Sequence, residues 1–300
     1  MADTYLVAIA SYRRPEGLRK LLDSLQDAIG STSVEILVVD NDSEETARTV
    51  ATQHALQPLY VVECEPGIAA ARNRALDHFS DRFRGIIFVD DDEWVSPSWL
   101  TTLTSYADRS GADVVLGPVV SEYPDETPGW VRRGGFIQRR IREDGQELRS
   151  AATNNTLLLR DAWIRAGAPR FDPSFSATGG SDTDLFHGIR KSGARILFCA
   201  GAIVYEEVPV ERLTFRWLRR RAIRNGIVDT RVRIKHQDSL LRGLGGGVIR
   251  AGYGILFLAA GLATGRGLQA RPFENLFNAY GRFAALLNVR IREYARVPVK

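Results

Sequence analysis

One pattern constrains this chain more than any other: a short, wholly apolar run, then a polar cluster, then an amphipathic helical stretch, repeated three times in the first hundred residues. Residues 5–10 (YLVAIA), 35–39 (EILVV) and 85–89 (GIIFV) are such runs, with a further short one at Leu59–Val62. Between them, Leu18, Leu21, Leu22 and Leu25 recur at helical spacing behind Pro15, and helical stretches are expected from about residue 44 and over 68–79. Strands without a polar face are buried on both sides, which predicts a mostly parallel sheet covered by helices on each face. In open sheets of this kind ligands bind beyond the carboxyl ends of the strands. The three runs end in Ser11-Tyr12-Arg13, Asp40-Asn41-Asp42 and Asp90-Asp91-Asp92. Three polar clusters at one edge make a site.

The alternation continues with a helix after Pro97 and an apolar run at 113–117. It breaks over 121–149, where prolines, glycines and charges predict a long loop above the site. Order is expected to resume at 152–159, with a helix over 182–192, a strand over 195–199 and a basic amphipathic helix over 213–225. Residues 248–263 (VIRAGYGILFLAAGLA) are the most apolar stretch. They fall short of the ~20 residues a membrane span needs and contain Arg250, so they read as a core or packing helix or an interfacial membrane helix. A hydrophobic share of 44% and a charged share of 25% argue against disorder. With only Cys64 and Cys199, both expected to be free and buried, a disulfide scaffold is excluded and a reducing compartment fits. No signal peptide is expected from the first residues, which lack a basic n-region and an apolar stretch.

Nine basic residues lie between Arg212 and Lys235, opposed mainly by Asp229. Such a block suits the phosphates of a nucleotide or a lipid; the plain alternative is a solvated helix face. Nucleic acid is not expected as a partner, because no recognisable binding module accompanies the charge.

Three adjacent carboxylates at Asp90–Asp92 repel one another, and a hard divalent cation relieves that repulsion. A solvated turn capping the next helix is the alternative. Asp40 and Asp42 suit either a turn or hydrogen bonds to a base or ribose. Gly67 and the alanines behind it permit close approach, and Arg72 suits a carboxylate or phosphate. Asp182, where Gly179-Gly180 runs into a helix, is either a cap or a carboxylate able to take a proton from an incoming hydroxyl.

In order along residues 5 to about 225, these segments resemble the inverting family 2 glycosyltransferases with the GT-A fold. VAIASYRRPEGLRKLLDSL resembles that family's opening strand and turn, VVDNDS its nucleotide-binding strand end, and EPGIAAARNRAL its glycine–Ala-Arg-Asn helix. FVDDDEW matches the DxD metal motif and GGSDTDLFHGIRKSG the late loop and helix that supply the base. TPGWVRRGGF and ATNNTLLLRDAW are similar to bacterial transferases that build exopolysaccharide repeat units, of the succinoglycan type, on a lipid carrier. Each motif alone is weak; together and in order they are specific.

The resemblance implies a GT-A catalytic domain over 1–210, with a nucleotide-binding half to about 117 and an acceptor half from about 118, followed by a basic and apolar helical extension over 211–300. It implies that Ala10, Ser11, Tyr12 and Arg13 line the nucleobase pocket, with Asp40 facing the base and Asp42 nearby. Gly67, Arg72, Asp90 and Asp91 would attend the nucleotide, Asp92 and Glu206 would hold Mg²⁺ or Mn²⁺, and Asp182 would be the general base. Glu206 stands in VYEEVP, where many members carry a histidine, and Ser181 stands where an acidic residue often precedes the base. These departures put the third metal ligand in doubt. The implied partners are a nucleotide-sugar, UDP-linked in the first instance, and a glycan or lipid-linked acceptor, with Arg219, Arg220 or Arg221 helping to neutralise the leaving diphosphate. Peripheral contact with the inner face of the cytoplasmic membrane would follow. Two other classes fit the residues: a sugar-phosphate nucleotidyltransferase, which would release pyrophosphate, and a non-catalytic nucleotide-sugar-binding protein.

Overall fold

Strands with no polar face are stable only in the middle of a covered sheet, and the apolar runs occupy that position. The computed structural model describes residues 3–289 and 291. In chain order the first half comprises β1 (Thr4–Ser11), α1 (Pro15–Ala28), β2 (Val34–Asp40), α2 (Arg48–Gln53), β3 (Leu59–Val62), α3 (Ile68–His78), β4 (Phe83–Asp90), β5 (Glu93–Val95), α4 (Trp99–Ser110), β6 (Val114–Leu116) and β7 (Val119–Glu122). There follow α5 (Gly129–Gly134), β8 (Thr156–Leu159), α6 (Arg160–Arg165), α7 (Ser181–Lys191), β9 (Ile196–Phe198) and β10 (Val204–Glu207). Three helices complete the described chain: α8 (Phe215–Lys235), α9 (Leu240–Ala263) and α10 (Ala270–Leu286).

Seven strands form the main sheet in the order β3-β2-β1-β4-β8-β6-β9, and only β8 runs against its neighbours. The chain builds outward from β1 through β2 to β3, then crosses to the other side of β1 to lay down β4. The crevice between β1 and β4 is therefore a topological switch point, where such sheets bind ligands. Successive residues of β1 serve opposite faces, as the two-residue period of a strand requires. Val7 and Ile9 pack with Leu18, Leu21, Leu25 and Trp99 on one face; Leu6 and Ala8 pack with Leu76, Phe186 and Ile189 on the other. A smaller sheet, β5-β10-β7, lies beside the carboxyl edge. Asn155 holds it in place: its amide donates to the carbonyls of Pro118 (2.9 Å) and Ala202 (2.7 Å), while its oxygen accepts from the Trp99 indole (2.8 Å).

The C-terminal helices form a separate layer in which α10 packs against both α8 and α9. Arg282 knits the three together, donating to the Gly243 carbonyl (2.8 Å) and the Asn278 side chain (3.0 Å) and pairing with Asp229 (2.9 Å). At the α8–α10 crossing the backbones approach until only glycine fits: a Cβ on Gly281 would overlap the carbonyl of Ile223, and one on Gly226 the carbonyl of Asn278.

Several expectations are corrected. The helix awaited from residue 44 starts only at Arg48, because Asp40 and Asp42 draw the intervening amides into a turn in which Glu45 takes a positive φ of 55°. The loop over 121–149 contains α5 and a bridge from Glu147 to Leu197. The basic helix runs ten residues beyond its expected end at 225. The apolar stretch begins at Leu240, not 248, because Ser239 caps it and its glycines pack inside the helical layer. It is also not a core helix: Ile249 is 75% and Leu256 65% exposed. Cys64 is exposed rather than buried, since β3 ends two residues before it, while Cys199 is buried. Met1, Ala2 and residues 290 and 292–300 of the expected extension lie outside the described residues.

Gly281→Ala tests the close crossing. Alanine ordinarily favours a helix over glycine by about 1 kcal/mol, yet here overpacking should lower stability by roughly 1–3 kcal/mol. Chemical denaturation measures it, and a variant as stable as the parent would show that the helices are not so close.

Candidate functional site

The carboxyl ends of the central strands are level. Ser11 is in register with Asp40 across β1 and β2, and Ala10 with Asp90 across β1 and β4. The three polar clusters therefore meet at one edge, as the strand pattern predicts. Within each cluster, however, the residues divide between those that build the edge and those that line it.

Asp40 builds it. Fully buried, its carboxylate accepts the amides of Asp42 (3.1 Å) and Ala47 (2.9 Å) and the Tyr60 hydroxyl (2.9 Å). These bonds consume it, so Asp40 does not face a nucleobase as expected. Asn41 links the same strand end to the next loop, donating to the carbonyls of Glu63 (2.8 Å) and Glu65 (2.7 Å) and accepting from the Gly67 amide (2.9 Å). Asp42 accepts from Arg13 Nε (3.1 Å) and the Thr46 hydroxyl (3.1 Å). Burial alone would raise its pKa, but the Arg13 hydrogen bond, with those of Glu44 and Thr46, holds it below the usual carboxylate range. Arg13 also reaches Glu44 (3.1 Å) and leaves much of its side chain exposed beside Tyr12. Tyr12 and Arg13 thus rim the crevice on the β2 side, with Asp42 buried behind Arg13.

Asp91 points inward. One oxygen accepts from the Ser11 hydroxyl (3.0 Å) and the Tyr12 amide (3.1 Å), the other from Arg14 (3.0 Å). Burial pushes its carboxyl up to about 6 despite the Arg14 charge. Ser11, only 1% exposed, is its partner and does not line a base pocket, and Asp91 itself is not open to a nucleotide. Gly17 allows this packing, since a Cβ there would run into the Asp91 carbonyl. Asp90 and Asp92 point outward, each with about a third of its side chain exposed, and each meets an arginine: Arg72 to Asp90 at 2.9 Å, Arg14 to Asp92 at 2.8 Å. Burial raises the Asp92 pKa; Arg14 opposes the rise, while Asp90 and Glu206 add to it. Asp92 is therefore a carboxylate short of positive charge.

A fourth acid completes the cluster and is missed by motif reading. Glu93, fully buried, accepts the Asp90 amide (3.0 Å), and burial followed by the Asp90 charge holds its pKa well above the usual value. Its spacing three residues beyond Asp90 is the signal that would have found it. Glu93 pairs directly with Glu206 across β5 and β10, and Glu206 with Ser121 across β10 and β7. Like charges directly opposite one another are unfavourable. Here Glu206 accepts from the Ser121 hydroxyl (2.7 Å) and from Arg139 (2.9 Å), and Arg139 is felt electrostatically by Glu93 as well. Glu206 thus offers no uncommitted oxygen as a metal ligand, because an arginine from the 121–149 segment already serves it. No sequence signal marks Arg139 out from its basic neighbours.

A metal fits the outward carboxylates. Asp90 and Asp92 are hard oxygen donors, and a Mg²⁺ or Mn²⁺ site commonly uses one or two carboxylates and leaves the remaining positions to water and substrate phosphates. Among the described residues no three His, Cys, Asp or Glu side chains converge as an all-protein cage.

Asp182 enters from the opposite side. Asn73 of α3 holds the segment leading to it, donating to the Phe171 carbonyl (2.9 Å) and accepting the Phe171 amide (2.8 Å). Arg72 lies over the Phe171 ring at 5.9 Å, and Gly67, at φ +129°, faces Ser176. The chain then turns through Gly179 and Gly180, both at positive φ, into α7. Asp182, in the first turn, accepts the Thr183 amide at 2.7 Å on one oxygen. The segment leading to Asp182 is therefore fastened to the helix that carries Arg72.

Comparisons with known proteins agree with this geometry. The model of the family described as glycosyl transferase family 2 matches residues 6–165. Succinoglycan biosynthesis protein ExoM of Rhizobium meliloti (strain 1021) is 38% identical over 228 residues, covering 73% of this chain and 72% of its own. Glycosyltransferase AglE of Haloferax volcanii is 27% identical over 160 residues, about half of each chain. Among solved structures, the mannosyltransferase PcManGT of Pyrobaculum calidifontis, in complex with GDP-Man and Mn²⁺, superposes with a TM-score of 0.63 at 16% identity, covering 95% of this chain and 87% of that one. S. aureus TarS 1–349 in complex with UDP gives 0.52 at 16%, covering 96% and 93%. At these identities the likeness to solved structures is one of fold.

Asp40→Ala should destabilise the protein by roughly 2–5 kcal/mol, since it strands two buried amides and a hydroxyl. Denaturant unfolding reads this out; a loss below about 1 kcal/mol would return Asp40 to the list of ligand-facing residues.

Proposed function

The chain belongs to glycosyl transferase family 2, and from that premise we propose that it moves a sugar from a UDP-sugar to a hydroxyl of a glycan on a lipid-linked acceptor, with inversion at the anomeric carbon. The observation that supports this most is the level meeting of the β1, β2 and β4 ends at the switch point, with Asp90 and Asp92 turned outward and the segment leading to Asp182 fastened to the helix that carries Arg72.

In this reading Tyr12 and Arg13, with Asp42 behind them, receive the nucleobase, and Ala10 and Gly67 leave room for it. Arg72 orients Asp90 toward the ribose, and Asp92, assisted by Asp90, is the residue that would hold Mg²⁺ or Mn²⁺. The cation, when bound, supplies charge neutralisation to the departing diphosphate. Arg14 keeps Asp91 and Asp92 apart in function, fixing the first inward and leaving the second able to exchange its partner. Asp182 takes the proton from the acceptor hydroxyl as that oxygen attacks the anomeric carbon from the face opposite the leaving UDP; one Asp182 oxygen is anchored by the Thr183 amide, leaving the other for the proton.

The acceptor side of the proposal rests on α9. An 18-residue window of this 24-residue helix has a mean hydropathy of 1.5, so the helix is long and apolar enough, by length and composition alone, to cross a membrane. Its exposed apolar side chains and the arginines of α8 fit peripheral contact with an anionic membrane surface.

Asp182→Asn should reduce turnover by about 10²–10⁴-fold while UDP binding, followed by calorimetry, survives; near-normal turnover would remove Asp182 from the chemistry. Asp92→Ala should weaken UDP binding in the presence of Mn²⁺ and leave the metal-free affinity nearly unchanged. Equal affinities with and without Mn²⁺ in the parent protein would exclude the metal site at Asp92.

A further inference from the structure

A basic cavity lies in the helical layer, and its Arg221 is within electrostatic reach of Arg139 and Glu206. The cavity measures about 200 Å³; its polar lining is Arg221 and Asn225 of α8, Arg250 of α9, and Glu274, Asn275 and Asn278 of α10, and apolar side chains, Phe136 and Phe273 among them, close the rest. Residues 221 and 225 are one helical turn apart, as are 274 and 278, so both helices present their polar side to the same space.

The charge in this cavity is unbalanced. Arg221 is half-buried and stacks near the Trp217 ring (5.2 Å), and among the described residues no carboxylate or carbonyl accepts a hydrogen bond from it. Burial lowers its pKa, and the neighbouring charges of Arg139 and Arg224 lower it further. Arg250 adds a second guanidinium, itself close enough to Arg282 to disturb it. Glu206 and Glu274 oppose these charges at Arg221, but the cavity-lining Glu274 is itself pushed toward its neutral form by burial and only partly restored by Arg221. Two guanidiniums facing three asparagines around a space of this size match a group with several anionic oxygens, which forks of N–H donors recognise more strongly than any neutral group.

Its position narrows the ligand further. Arg250 sits on α9, whose outer surface exposes Val248, Ile249 and Leu256. The mouth of the cavity and an apolar face thus belong to one helix. Val228 of α8, one turn beyond Asn225, abuts Gly180 just before Asp182.

We propose that the cavity among α8, α9 and α10 binds a phosphoryl or diphosphoryl group of the acceptor, carried on a lipid that rests along α9. The phosphoryl site rests on the helical layer alone; only its assignment to an acceptor depends on the family 2 reading above.

The test uses the full chain, metal-free, with inorganic pyrophosphate as the soluble probe and phosphatidylcholine vesicles doped with phosphatidic acid as the lipid probe. Pyrophosphate should bind the parent by calorimetry. Arg221→Gln and Arg250→Gln should each weaken it by about tenfold or more, the scale of a lost charge-assisted pair, whereas Arg242→Gln, the same charge change on α9 outside the cavity, should not. The doped vesicles should bind the parent more tightly than undoped ones, with Arg250→Gln reducing the difference more than Arg242→Gln does. If pyrophosphate shows the pattern and vesicles do not distinguish the two variants, the phosphoryl group is soluble and the lipid assignment falls. Equal losses in all three variants, or no pyrophosphate binding, would overturn the site itself. Loss of UDP–Mn²⁺ binding in Arg250→Gln would assign the cavity to the donor instead. Failure of UDP–Mn²⁺ binding in the parent would count against the donor reading and leave the pyrophosphate result standing.

Discussion

The site depends on one buried carboxylate. Asp91 accepts from the Ser11 hydroxyl and the Tyr12 amide at the exit of β1 and from Arg14 at the start of α1, while its own backbone continues the exit of β4. It locks the two strands that flank the switch point to each other. It also forces the alternation that follows: with Asp91 turned in, its neighbours Asp90 and Asp92 must turn out. Arg72 and Arg14 receive them. Three adjacent carboxylates repel one another, and turning Asp91 inward onto Ser11, Tyr12 and Arg14 separates it from the outward pair.

The same economy recurs around the edge. Asp40 and Asn41 are consumed in shaping the β2 exit, leaving Arg13 at the rim with Asp42 buried behind it. Glu93 is consumed in holding the Asp90 amide. Glu206, at the position where many relatives of this family carry a histidine, is served by Ser121 and Arg139. Polar residues at a ligand-binding edge therefore fall into supports and contacts in near alternation, and composition does not distinguish them. What distinguishes them is the direction of each side chain relative to the sheet, set by the two-residue period and by the tightness of the turn.

The helical layer adds what the sheet lacks. Its three helices cross closely enough that Gly226 and Gly281 admit no side chain, and Arg282 bonds across them. This rigidity lets α9 present an apolar face outward without collapsing onto the rest of the protein. The layer meets the segment carrying Asp182 where Val228 abuts Gly180, where Arg231 bonds Thr178 and where Lys235 and His236 bond Asp184.

The fold was legible in the sequence because burial on both faces leaves a pattern that no other environment produces: YLVAIA, EILVV and GIIFV read as central strands from their composition alone, and their polar ends marked the edge. The order of the motifs was legible for the same reason, since each follows an apolar run. Other features were not. Asp40 and Asp91 looked like ligands, yet their partners Ala47, Tyr60, Ser11 and Arg14 meet them only through folding. Arg139 lies 67 residues from the glutamate it serves, and nothing local reports it. The start of α9 lay ahead of the most apolar stretch, in a glycine-rich segment where Gly243 packs against Arg233 and Gly247 against Arg282. By itself, then, the sequence determined which segments are strands, which edge carries the chemistry and which residue types stand there, because hydrophobic periodicity is a local property of the chain. Only the tertiary structure decided which carboxylates face inward and which outward, because that choice depends on partners brought from distant segments.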